Sequence, residues 1–163
     1  MNKAVNLSGF DSERTAPQKN GGNSIVFLLT VKSSVPYINS SCTVRQGLEK
    51  MRRYGCKALP VIHPDGSYAG MVSEGDFLWH VIDTGCASLR QLEKHPLTDL
   101  LLGKQCPPVS IRSTVFEIID KFDDRPFIPV VDDRNTFMGV VTKKSLMLYL
   151  SDMGKTVRSS RTM

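Results

Sequence analysis

Gly70-Met71-Val72-Ser73 runs into an amphipathic segment carrying Asp76, and here residue type and spacing suit chemistry. A helix that starts at such a turn presents unpaired amides and the positive end of its dipole, which together favour an anion such as phosphate. The same residues have a plainer reading, because a Ser followed three positions later by an acid is also a helix N-cap with a favourable charge in its first turn. Both readings stand at this point.

Other reactive side chains form no pattern. His63, His80 and His95 lie far apart in sequence, two of them beside prolines, in no Ser-His-Asp or Cys-His order. Cys42, Cys56, Cys86 and Cys106 fall at no C-x-x-C spacing and have no clustered histidines beside them, so neither a zinc site nor a redox pair is expected. An unpaired Cys behaves as a small hydrophobe, so burial is expected for most of the four, and free thiols fit a reducing cytosol. The expectation is a protein that is not an enzyme and holds no metal.

The elements that must position Ser73 and Asp76 occur twice. GMVSEGDF at Gly70 to Phe77 returns as GVVTKKSL at Gly139 to Leu146, and Pro60 to Pro129, Gly70 to Gly139 and Ser73 to Thr142 share the offset 129−60 = 139−70 = 142−73 = 69. Equal offsets of this kind mark an internal repeat. In the first copy Thr43 to Gln46 reads as a capping box, and Val44, Leu48, Met51 and Tyr54 recur at helical spacing. Leu59 to Ile62 and Tyr68 to Val72 then read as strands around the turn residues His63-Pro64-Asp65-Gly66. In the second copy Thr114 to Glu117 is another capping box, with Val115, Ile118, Ile119 and Phe122 on one helical face. Strands over Phe127 to Val131 and Thr136 to Val141 flank an Asp132-to-Asn135 turn, and a helix over Lys143 to Leu150 closes the copy.

These linked motifs resemble the cystathionine β-synthase (CBS) domain, whose signature runs helix, x-x-h-P-V strand, turn, then Gly-h-h-Ser/Thr-x-x-Asp opening a helix. The resemblance covers roughly Val35 to Leu150. It implies an α/β fold of two tandem β-α-β-β-α repeats packed through their sheets with pseudo-twofold symmetry, a Bateman module. Such modules pair through the helices after the motif, so a homodimer is implied, with Phe77 and Trp79 as core or dimer contacts. In the family the Asp of the motif accepts hydrogen bonds from both ribose hydroxyls, a role that falls here on Asp76. Ser73 would donate to a phosphate or ribose oxygen, and Lys57, Ala58 and Pro60 would line an adenine pocket.

The second copy departs from the family, because Ser145 stands where the ribose-binding carboxylate is expected. A Ser can share one contact with a diol and cannot grip two. The second cleft, built from Thr142, Ser145, Phe127 and Pro129, is therefore either degenerate or made for another ligand, with Arg112, Lys143 and Lys144 offering positive charge. Asymmetry between the clefts is expected, the first suiting an adenosine moiety better.

Composition sets the remaining bounds. A chain of 163 residues with 40% hydrophobic content can build a core, and no apolar run approaches the roughly 20 residues of a membrane span. Ile25 to Leu29 is too short for a span and is expected to pack on the first repeat. The net charge of +5 raises the question of nucleic acid. Its one dense patch, Lys50, Arg52, Arg53 and Lys57, accompanies no nucleic-acid motif, so that partner is not expected. The expected organisation is a flexible leader over 1–23, a first repeat over 24–85, a linker over 86–96, a second repeat over 97–151 and a basic tail over 152–163. The expected function is that of a cytoplasmic, stand-alone regulatory protein that needs no cofactor, binds an adenine nucleotide or related adenosine ligand such as AMP, ADP, ATP or cyclic di-AMP, and signals to an unidentified protein effector. The alternative is a structural dimerisation adaptor whose clefts are degenerate.

Overall fold

Both expected helix starts are built as written in the sequence. Thr43 Oγ1 accepts the Gln46 N–H at 3.3 Å while Gln46 Oε1 accepts the Thr43 N–H at 3.0 Å, opening helix α1 (Val44–Tyr54), which Gly55 closes in the left-handed conformation. Thr114 and Glu117 repeat the exchange at helix α3 (Val115–Ile119). Although α3 is short, Phe122 at the end of its apolar stripe is still buried.

A computed structural model describes residues 23–86, 88–102, 106–122 and 125–159, with side chains to residue 153. All but the last residue of the expected leader, Gly103 and the side chains of Lys155, Arg158 and Arg161 in the expected basic tail lie outside the described residues. The remaining elements are β1 (Leu29–Val31), β2 (Ile38–Asn39), β3 (Ala58–Ile62), β4 (Tyr68–Ser73), α2 (Glu74–Thr84), β5 (Val109–Ser110), β6 (Phe127–Val131), β7 (Phe137–Thr142) and α4 (Lys143–Ser159). The leucine-rich linker forms two 3-10 turns, Gln91–Lys94 and Leu97–Leu101, separated at His95-Pro96 as the proline dictates. No helix among the described residues is long and apolar enough to cross a membrane.

Each repeat contributes a parallel strand pair and an antiparallel hairpin. The first sheet runs β2-β3-β4, and the second runs β1-β7-β6-β5. β3 and β6 are buried throughout their length, and period-2 alternation divides their side chains between two cores. Leu59 and Val61 face α1 and α2, joining Val44, Met51 and Phe77, whereas Ile128 and Val130 join Val115, Ile118 and Leu146. Ala58, Ile62, Phe127 and Val131 point the other way and meet Tyr68, Phe137 and Val140 in a cluster shared by the two repeats.

The repeats are joined at their hairpins. Tyr68 donates its backbone N–H to the Asn135 carbonyl at 3.0 Å, and Phe137 donates to the Gly66 carbonyl at 3.0 Å, across an antiparallel Ser67–Thr136 bridge. These two bonds exchange under the 69-residue offset, and the Tyr68 and Phe137 rings stack with centroids 6.2 Å apart. Gly66 (φ 90°) and Asn135 (φ 62°) turn the chain in the left-handed region, which Gly and Asn tolerate best. Asp65 accepts from the Ser67 hydroxyl and amide, and Asp132 from the Thr136 and Arg134 amides, bonds that hold both carboxyls below their ordinary range.

One expectation is overturned. Ile25 to Leu29, placed in the first repeat by sequence, belongs to the second: Ile25 and Leu28 are buried with Val115, Ile118 and Val141, and β1 pairs with β7, Leu29 opposite Val141 and Val31 opposite Gly139. The physical reason lies at Gly139, where a Cβ would stand 2.1 Å from the Thr30 carbonyl oxygen, so only glycine admits β1. At the matching Gly70 a Cβ would meet the Leu101 side chain at 2.9 Å, because the linker covers that edge. Gly139→Ala is therefore expected to destabilise the fold by about 2–3 kcal/mol, since a backbone oxygen cannot yield. Gly70→Ala should cost less, about 1–2 kcal/mol, because both glycines share a positive φ that disfavours a side chain but at Gly70 the obstructing leucine can change rotamer. Urea unfolding of both variants checks this, and equal losses would refute the close approach of β1.

Candidate functional site

Strand register brings the first-repeat candidates together. Ala58 is the cross-strand partner of Ser73 and Pro60 that of Met71, while Glu74 donates its N–H to the Lys57 carbonyl at 3.0 Å. Lys57, Ala58, Ser73 and Asp76 thus gather where β3 begins, β4 ends and α2 starts, with Pro60 two residues along. By alternation Ala58, Pro60, Met71 and Ser73 lie on the face turned toward the other repeat. Ala58 and Pro60 are buried, Ser73 and Asp76 half-buried, and Lys57 exposed.

The capping reading is realised in full view of the binding one. Asp76 Oδ2 accepts the Ser73 N–H at 2.7 Å, so the carboxylate serves its own helix. The Glu74 amide, which an anion at the helix start would need, is given to Lys57. What the site offers a ligand is therefore the Ser73 hydroxyl and Asp76 carboxylate beside an apolar wall, rather than a row of open amides.

In the second repeat Phe127 pairs with Thr142 and Pro129 with Val140, so Phe127, Thr142 and Ser145 gather at the corresponding place. Ser145 Oγ accepts the Thr142 N–H at 3.2 Å and donates to the Thr142 carbonyl at 2.9 Å, while Thr142 Oγ1 accepts the Ser145 N–H at 3.1 Å. The two hydroxyl residues cap each other and carry no charge. Phe127 and Pro129 are buried, and Lys143 and Lys144 are exposed. Arg112 is not brought to Thr142 and Ser145 within this sheet. Ile111 bonds to Val131 at the far end of β6, about 13 Å from Phe127 at 3.3 Å per residue, and the Arg112 guanidinium bonds to Asp133 in the turn.

A pocket of about 370 Å³ opens along β4, but none of Lys57, Ala58, Pro60, Ser73 or Asp76 lines it. It is lined by Tyr68, Gly70 and Met71 of β4, by Leu101 and Pro107-Pro108 of the segment between α2 and β5, and by Asn135 across the repeat junction. The volume is at the small end of ligand sites. Tyr68 donates its hydroxyl to the Cys106 carbonyl at 3.1 Å, and burial raises its pKa far above the ordinary range. Sequence reasoning missed these residues, since nothing local says that Pro107-Pro108 returns to β4. It also expected most thiols to be buried, whereas only Cys56 is, with its pKa raised by that burial. His80 and His95, far apart in sequence, meet edge to face with centroids 4.8 Å apart. Phe77 is core, but Trp79 is 61% exposed and is no part of it.

Comparison with known proteins fits this geometry. A family model described as the CBS domain matches twice, over residues 29–83 and 99–152. Among solved structures, CbpB in complex with c-di-AMP aligns with a TM-score of 0.74 at 20% identity, covering 84% of this chain and 90% of that one. CbpB of Listeria monocytogenes in complex with c-di-AMP aligns at 0.68 and 18%, covering 82% and 97%. CBSX2 in complex with AMP aligns at 0.66 and 18%, covering 82% and 99%. At these identities the likeness is one of fold. No curated protein matches the chain.

The capping geometry predicts ligand-free stabilities. Asp76→Ala and Ser145→Ala each remove a helix cap and are expected to cost about 1 kcal/mol. For a chain of this size that lowers the melting temperature by roughly 2–4 °C, to be checked by thermal unfolding without nucleotide. An unchanged Asp76→Ala would mean that the carboxylate does not cap α2.

Proposed function

This chain belongs to the CBS domain family, and on that premise we propose that it is a regulatory CBS pair whose first cleft binds an adenine nucleotide or related adenosine ligand, such as AMP, ADP, ATP or cyclic di-AMP. The observation that carries this reading is the convergence of Ala58, Ser73 and Asp76 at the β4–α2 junction, on the face turned to the other repeat. The c-di-AMP held by CbpB and the AMP held by CBSX2 support the ligand class.

In this reading Asp76 accepts from the ribose hydroxyls and Ser73 donates to a ribose or phosphate oxygen, while Lys57, exposed just before β3, borders the base. Ala58 and Pro60 form the apolar wall for the base. The second cleft, with Ser145 in place of a carboxylate, binds adenosine more weakly or not at all. The module acts in the cytoplasm by binding rather than catalysis, and a protein effector reads its state. A ligand shifts such a state only through its differential affinity for two arrangements of the module.

A thermal-shift panel of AMP, ADP, ATP, cyclic di-AMP, S-adenosylmethionine and GTP tests the ligand class. A ligand near 100 times its Kd adds about 2.7 kcal/mol of stability, a rise of roughly 5–10 °C. The selective adenine response should disappear in Asp76→Asn, which can still accept the Ser73 N–H. The chain has a single tryptophan, and Trp79 Nε1 and Ser73 Oγ each lie 3.8 Å from a Cβ built on Gly75, so indole fluorescence should report the same binding. Silence in both readouts for every adenine compound would favour the adaptor reading, to which the internal capping of Ser73 and Asp76 already lends weight.

Two copies are proposed to pair through α2 and α4. Leu78 (56% exposed), Trp79, Met147 (69%) and Leu148 (59%) are matched by the repeat offset, and Ile82 extends the same apolar surface. Light scattering should give twice the chain mass, with Leu78→Glu, Ile82→Glu giving the monomer. A monomeric parent would overturn the pairing.

A further inference from the structure

His80, His95 and Asp99 are scattered in sequence, but the chain doubles back on itself to join them. His80 sits on α2, Gly85 reverses the chain in the left-handed conformation, and the Gln91–Lys94 turn ends at His95. Pro96 then opens the turn that carries Asp99. The two imidazoles meet at 85°, and one potential ligand atom from each of the three residues lies within 4.8 Å of the others. Among the described residues His80 Nε2 is buried with no hydrogen-bond partner, an arrangement that is unfavourable unless something occupies it. His95 has a neighbour at each ring nitrogen, Asp99 Oδ2 at 4.0 Å from Nδ1 and Cys86 Sγ at 3.5 Å from Nε2. All three residues are half-buried, and the His80 Nε2 itself is shielded, so an ion reaches it as the side chains draw together.

We propose that His80, His95 and Asp99 form a binding site for a divalent transition metal, with zinc the best match to two imidazoles and a carboxylate. Bonds of about 2.0–2.1 Å place tetrahedral ligand atoms about 3.3 Å apart, so side chains now separated by up to 4.8 Å close by roughly an ångström or more on the ion. His80 contributes its unpartnered Nε2 and His95 the Nδ1 that faces Asp99. Cys86 stays on the opposite nitrogen of His95 as a positioning residue that holds the ring in place. Three protein ligands leave one position for water. The site also has a structural consequence, because the turn that carries Asp99 carries Leu101, which lines the pocket beside β4. Bound metal would clamp that turn to α2.

The test is calorimetric titration of Zn²⁺ into the chelator-stripped full chain without nucleotide, with Co²⁺ visible absorption reporting coordination. The expected result is one equivalent per chain and a tetrahedral cobalt spectrum. Asp99→Asn and His95→Gln should each weaken binding at least about 100-fold, and Cys86→Ser about 10-fold, while His63→Gln leaves it unchanged. Circular dichroism verifies folding, and His80→Gln provides an independent variant should His95→Gln unfold. Absence of saturable binding at tens of micromolar zinc would overturn the proposal. So would binding that survives the Asp99, His95 and His80 variants, or that is lost in Cys86→Ser but kept in Asp99→Asn.

Discussion

Tyr68 and Phe137 each give a backbone N–H to the opposite repeat, and the arrangement of the whole molecule depends on those two bonds. They require Gly66 and Asn135 to turn their carbonyls across the junction, which the left-handed conformation of both residues achieves. They also fix the stacked rings of Tyr68 and Phe137 at the centre of the shared cluster. A buried amide left unpaired at this junction would cost more than the bond itself contributes, so the constraint acts mainly by excluding other pairings. From it follows that the inner faces of β3, β4, β6 and β7 look at one another, with Ala58, Ser73, Phe127 and Thr142 along the seam.

Pseudosymmetry at the centre gives way to asymmetry at the edges. β7 takes β1 as a partner because Gly139 lets a backbone approach, whereas β4 is covered by the irregular linker. The difference leaves room beside Gly70 and Met71 for a pocket that includes Leu101 and Pro107-Pro108. It coincides with the chemical asymmetry between Asp76 and Ser145. The repeat with the carboxylate is also the one whose sheet edge is lined by a loop, and a loop adapts to a ligand more readily than a paired strand does.

The site shows how capping and binding share side chains. Asp76 accepts from Ser73 across the first turn of α2, a geometry that fixes the carboxylate near the cleft before any ligand arrives. Preorganisation of this kind lowers the entropic cost of binding. In the second repeat the same positions hold two hydroxyls satisfied by each other and by their own backbone, leaving little for a charged or diol-bearing ligand.

The local features were legible in the sequence because local bonds make them. Thr43 with Gln46 and Thr114 with Glu117 start helices wherever they stand, and the Pro60 to Pro129 offset announces two copies of one unit. The unbroken apolar runs of β3 and β6 read as strands, and the Gly-x-x-Ser motif places Ser73 and Asp76 at a helix start. Tertiary structure alone decided which sheet Ile25 to Leu29 would join, since β1 pairs with residues more than a hundred positions away and its admission turns on the absence of one Cβ at Gly139. It alone paired Arg112 with Asp133, turned Pro107-Pro108 back onto β4, and brought His80, His95 and Asp99 within reach of a single ion. Short-range hydrogen bonds and periodicity are properties of a segment, but contacts between segments depend on which surfaces remain uncovered once every element has been packed.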